Sequence, residues 1–223
     1  MATLSDSSGV TTLSMEAEMD LSTMRANVRR DLKDTDASAY RWTDEELDGH
    51  IGRAVAEYGE VCPLVATVEK TAGPSSTYDL SSEPGYRWCL GAEYPLDEVP
   101  RSLVGVEETS PGLVVLLLDE GSRPTSGESV RFYYAKNHTL SSASTLPPEH
   151  EGTVARGAAA YALAAMARYA VDRIAASGHS AAEWRALAEA ELASFRAELE
   201  RWQHQAAGAV STWGAVPEGW ETV

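Results

Sequence analysis

The chain has 223 residues, 43% of them hydrophobic, and no apolar run approaches the roughly 20 residues that a membrane-crossing helix needs. Its 34 acidic residues outnumber 18 basic ones, only three of which are lysines (Lys33, Lys70 and Lys136), for a net charge of −16. That balance argues against a protein that grips nucleic-acid phosphates; it leaves open a surface past which DNA slides without sticking, and equally plain solubility or the coding bias of a GC-rich or salt-adapted source.

Residues 1–19 lack the basic start and continuous apolar core of a signal peptide and are expected to form a flexible polar arm on a cytoplasmic protein. Leu21, Met24, Val28 and Leu32 recur at helical spacing, with Arg25, Arg29, Arg30 and Lys33 around them. Asp34-Thr35-Asp36-Ala37-Ser38 breaks the pattern as a turn. A second helix restarts at Thr43, read as an N-cap that forms a capping box with Glu46. Leu47, Ile51, Val55 and Tyr58 then lay down its apolar stripe.

The period changes after Tyr58. Strands are expected at Val61 to Thr71, Thr77 to Leu80, Tyr86 to Leu90, Val99 to Thr109, Leu113 to Leu118 and Glu128 to Ala135, with Gly/Pro turns between them. Leu113 to Leu118, wholly apolar, reads as a buried strand. Short strands so closely spaced predict an antiparallel sheet, a small sandwich or partial barrel. Pro147-Pro148 then opens a helix expected to reach Ala176, whose Gly157 to Ala167 stretch of small residues permits close helix approach. Ser177 to Ser180 interrupts it. Ser180 with Glu183 offers a second capping box before a last helix to about Ala207. Residues 208–223 are Gly/Ala/Ser-rich yet carry Trp213 and Trp220, which cannot build a core alone and are read as anchors on the protein's own domain or a neighbouring chain.

The expected fold is therefore α+β: two N-terminal helices (residues 20–60) and a linker with a helical hairpin (137–207) form one bundle. An antiparallel β domain (61–136) is inserted between them, an arm (1–19) precedes and a tail (208–223) follows.

Chemistry finds little purchase in this sequence. Asp44, Glu45 and Glu46 stand in a first helical turn, where the dipole favours acids. His50, His138, His150, His179 and His204 are scattered, with no pair at metal-ligand spacing. Cys62 and Cys89 lack the close spacing of a zinc or redox motif. Neither a Gly-x-Ser-x-Gly elbow nor a phosphate-binding glycine loop occurs. No catalytic residue, metal or cofactor is expected. A cell-wall glycan hydrolase using Glu107 and Glu108, or Glu149 and Glu151, is the rival reading, disfavoured because carboxylates so close in sequence rarely face one another.

Arg25 to Leu32, Asp34-x-Asp36, and Arg41-Trp42-Thr43-Asp44-Glu45-Glu46-Leu47 with its amphipathic helix resemble the start of the head–tail adaptor (connector) proteins of tailed bacteriophages. Val130 to Tyr134, then Thr145-Leu146-Pro147-Pro148-Glu149 and an Ala-rich helix, resemble that family's return to its helical bundle. The resemblance implies a non-enzymatic component of the virion neck, assembled in the host cytoplasm. It implies a ring, usually of twelve copies, docked beneath the portal protein, through which double-stranded DNA passes without sequence-specific binding and on which the next neck or tail component sits. Another neck or tail-completion protein is the alternative. Arg25, Arg29, Arg30, Trp213 and Trp220 are the residues expected at subunit or portal interfaces.

Overall fold

Local signals start each helix. In the computed structural model, which describes residues 19–73, 75–118, 123–141, 144–170 and 180–210 (without the side chains of 170 and 204–210), Asp20 caps α1 (Leu21–Asp31). Its carboxylate accepts the Thr23 N–H at 2.7 Å. At the other end Lys33 adopts the left-handed conformation (φ 55°). Lys33 N–H then reaches Arg30 O at 3.2 Å and Asp34 N–H reaches Arg29 O at 2.8 Å, the paired closure that satisfies the last carbonyls of a helix. α2 (Asp44–Val61) opens on the capping box, with Glu46 N–H on Thr43 Oγ1 at 3.2 Å and Thr43 N–H on Glu46 Oε2 at 2.8 Å. It runs three residues beyond Tyr58, taking the start of what reads in sequence as a strand.

Six strands follow: β1 (Leu64–Thr71), β2 (Thr77–Asp79), β3 (Tyr86–Glu93), β4 (Leu103–Ser110), β5 (Leu113–Leu117) and β6 (Ser129–Lys136). They form one antiparallel half-barrel sheet in the order β1-β6-β3-β4-β5-β2. β4 changes partner along its length. Leu103 and Val104 pair with the end of β3, and from Gly105 onward β4 pairs with β5, which curls the sheet. The β4–β5 turn needs glycine at Gly112: φ is 79°, and a Cβ there would lie 2.6 Å from the Ser81 backbone. β5 is not buried on both faces as its composition suggests. Val114 and Leu116 point inward, while Leu113 and Leu117 are 38% and 54% exposed, the alternation of a strand with one wet face.

The chain returns to helix in α3 (Pro148–Ala170) and α4 (Ala181–Val210). Ser180 and Glu183 form the second capping box, at 2.6 and 3.2 Å. α3 touches each of the other three helices. Gly157 permits its closest approach to α4, since a Cβ there would stand 2.8 Å from the buried Phe195 ring. Two cores result. One joins all four helices through residues such as Met24, Val28, Leu47, Ile51, Tyr58, Val154 and Phe195. A smaller one, around Tyr78, Leu80, Val114, Val130 and Phe132, lies within the curl of the sheet.

Candidate assembly surfaces

Half of the basic face expected on α1, Arg25 and Arg29, is engaged inside the molecule. Arg25 forks onto Asp48, with Nε to Oδ1 at 2.8 Å and Nη2 to Oδ2 at 3.0 Å, and its Nη1 meets Asp44 at 2.9 Å. The Asp48 hydrogen bond raises the guanidinium's pKa further. Arg29, expected at an interface, has a side chain only 7% exposed in the single chain. It bonds Asp34 at 2.7 Å, Asp44 at 2.7 Å and the Trp42 carbonyl at 3.0 Å, with the Tyr40 ring 3.7 Å away on its face. Asp34, itself buried, also accepts the Arg41 N–H at 2.8 Å, so the Asp34 side chain folds the α1–α2 connection around Arg29. Asp36 makes the local turn, accepting from Ser38 N–H and Oγ at 2.9 and 2.7 Å. Arg30 is exposed and bonds its helical neighbour Asn27. Of the three arginines, Arg30 alone is presented outward.

A second cluster joins helices and sheet. His138 lies beyond β6, between the Cys62 carbonyl at the end of α2 (Nε2, 2.9 Å) and the Thr145 carbonyl (Nδ1, 2.9 Å). Tyr58 OH meets His150 Nδ1 at 2.7 Å, and the His150 ring stacks on Trp202 with centroids 3.8 Å apart. Burial pushes both imidazoles below the ordinary histidine value and raises the Tyr58 and Cys62 groups above theirs. Histidines in such an aromatic joint are packing elements with hydrogen-bond handles. Nothing in the sequence marks them, because Tyr58 and His150 are 92 positions apart.

Further polar clamps are equally non-local. Glu57 takes the Tyr161 hydroxyl and the Arg196 Nε (2.8 Å), tying α2 to α3 and α4. Glu198 on α4 takes Thr153 and Arg156 of α3, at 2.5 and 3.0 Å. In the sheet, the buried Glu93 receives Tyr133 OH at 2.7 Å and Arg131 Nη1 at 3.1 Å, while Arg131 also bonds Glu69 at 2.8 Å.

The carboxylate pairs of the rival reading do not converge. Glu107 and Glu108 are neighbours on β4 and so alternate across the sheet; Glu108 is engaged with the Gly112 N–H at 2.7 Å. Glu149 and Glu151 stand in the first turn of α3, about 200° apart around the helix. Among the described residues, no group of three His, Cys, Asp or Glu side chains could hold a metal ion, and no helix is long and apolar enough to cross a membrane. Cys62 and Cys89 are both free and half-buried. Trp213 and Trp220 lie outside the described residues.

A protein-family comparison matches residues 19–211 to the family described as SU10 adaptor protein, a match that spans both helical segments and the sheet between them. No curated protein matches the sequence.

Proposed function

The chain belongs to the SU10 adaptor protein family, and from that premise we propose that it is the head-to-tail adaptor of a tailed phage. In this reading copies of the chain form a ring, twelve in number, beneath the portal protein. The ring extends the DNA channel and carries the next neck or tail component. The observation that carries the proposal is the extent of the family match, which takes in α1 through α4 and all six strands as one unit. The family is one of structural adaptors rather than enzymes.

Two physical features support it. A net charge of −16 suits a channel wall that repels the DNA backbone and lets it pass. The internal neutralisation of Arg25 and Arg29 makes the α1–α2 pair a stiff element, with Arg30 left to meet an acidic neighbour. Trp213 and Trp220 are proposed as the anchors that hold the tail to the portal or an adjacent copy.

Electron microscopy of the purified protein, alone and mixed with its cognate portal, tests the reading. Rings docked on portal are expected; a monomer that ignores the portal would overturn it. Ending the chain after Val210, where α4 stops, is expected to weaken portal docking. Unchanged docking would remove the tryptophans from the proposal and leave the ring in place.

A further inference from the structure

β1 and β2 are the two outer strands of the sheet. Just past β1, Ala72 donates its N–H to Glu128 O at 2.7 Å and accepts the Gly127 N–H at 3.0 Å, so its backbone groups face the β6 side. That orientation alternates residue by residue along an antiparallel ladder. The register from Leu64↔Lys136 to Thr71↔Ser129 is unbroken. Leu64, Ala66, Val68 and Lys70 therefore bond β6, while Val65, Thr67, Glu69 and Thr71 turn N–H and C=O away from it. Among the described residues, no backbone hydrogen bond meets them there. At the opposite end Leu80 N–H bonds Gly112 O at 2.7 Å. By the same alternation, Tyr78 faces β5, while Thr77 and Asp79 face outward.

A strand that stays at an edge is ordinarily shortened, bulged, broken by proline or guarded by a free lysine. β1 has none of these devices, whereas β2 is shortened to three residues. β1 is eight residues long, and the Lys70 ammonium is held at 2.5 Å by Glu83.

We propose that β1 receives a second copy of this chain, pairing antiparallel with that copy's β2, so that the sheets continue from subunit to subunit around the ring. The inference rests on the ring reading above. Strand parity supports it. With six antiparallel strands, β1 and β2 run in opposite directions, so the next copy's β2 meets β1 antiparallel without any subunit being reversed. Two unlike edges joined head to tail give the heterologous contact that closes a ring. Apolar surface lies near both edges: Leu113 stands exposed on β5 opposite Asp79 of β2, and Val65 is half-buried on β1.

The test uses proline at outward-facing positions. Thr67→Pro removes a β1 donor, and Thr77→Pro a β2 donor, without touching the internal ladder. Each variant is expected to keep the wild-type circular dichroism spectrum and to lose rings at concentrations where the wild type forms them. Mixed together, they retain one intact pair of edges and are expected to stop at dimers. Hydrogen exchange on the unsubstituted protein gives an independent reading. The amides of Val65, Thr67 and Glu69 should slow at least about tenfold from monomer to ring. Rings formed by Thr67→Pro, or equal exchange at these amides in monomer and ring, would overturn the contact while leaving the ring reading intact. Assembly lost with Thr67→Pro but normal with Thr77→Pro would overturn the head-to-tail pairing in favour of a two-fold β1–β1 contact. A wild type that never forms rings, alone or on portal, would instead remove the ring reading itself.

Discussion

The α1–α2 pair and the sheet handle their polar groups in opposite ways. In the helical pair, nearly every strong donor is answered within the chain: Arg25 by Asp48 and Asp44, Arg29 by Asp34, the Thr43 N–H by Glu46. In the sheet, whole rows of main-chain donors and acceptors at β1 and β2 are left unanswered among the described residues. Charge satisfied internally makes a rigid part; backbone left open makes a joining part. The lesson is that surface charge in a sequence is a poor guide to where a protein meets its neighbours. The partners of a charge are decided by packing, and an open strand edge has no composition of its own.

The comparison can be broken first at its two cores. Phe195→Ala and Phe132→Ala each empty a fully packed site, one among helices and one within the sheet. Each is expected to cost about 3–5 kcal/mol, measured by urea unfolding. Because His138 and the Arg87–Glu60 pair tie sheet to helices, the helix signal and the tyrosine signal should fall together in both variants. Separate transitions would mean that the two regions are independent units.

Next in size is the clasp around Arg29. Asp34→Ala leaves a buried guanidinium with only part of its partners and is expected to cost about 3 kcal/mol. A loss below about 0.5 kcal/mol would show the pair to be no more than a surface salt bridge.

The pH dependence of stability sharpens the helical side of the comparison. Burial holds the imidazoles of His50, His138 and His150 below the ordinary value, so the folded state binds these protons less readily than the unfolded chain. Their contribution is complete above about pH 6.5 and is lost as pH falls through the depressed folded values. The carboxylates of Asp44, Glu46 and Glu198, lowered by hydrogen bonds from Arg29, Thr43 and Thr153, lose theirs only below about pH 4. Urea midpoints should therefore drop between pH 7.5 and 5.5, and His150→Phe, which keeps a ring against Trp202, should flatten part of that slope. Identical slopes in variant and wild type would refute the assignment.

The smallest effect is expected at the best-read feature. Thr43→Ala removes one half of the α2 capping box and should lower stability by about 1 kcal/mol. An unshifted thermal midpoint would contradict it.

Thr43 and Glu46 were legible because a cap is written within four residues, and the same holds for Ser180 with Glu183. Strand positions were legible to within a few residues for a similar reason. Strand order was not, since β1 finds β6 across the length of the sheet. Leu113 to Leu117 misled because an all-apolar run hides which side is wet. The Arg29–Asp34 pair was not legible because Asp34 lies past the end of the helix, where the left-handed Lys33 turns the chain back. The Tyr58–His138–His150–Trp202 joint was invisible, being assembled from four distant segments.

That joint also sets an order of events during synthesis. Tyr58 waits for His150, 92 positions later, and Glu57 for Arg196, 139 positions later. At about 5–20 residues per second, the first two helices leave the ribosome some 5–30 s before these partners exist. Short isolated helices are marginal in water, so during that interval Met24, Leu47 and Ile51 have no core to enter. The sheet, contiguous in the chain, can close first. The ends of the described chain are thus joined last, and a nascent chain halted before α3 would carry a formed sheet and an unfinished pair of helices.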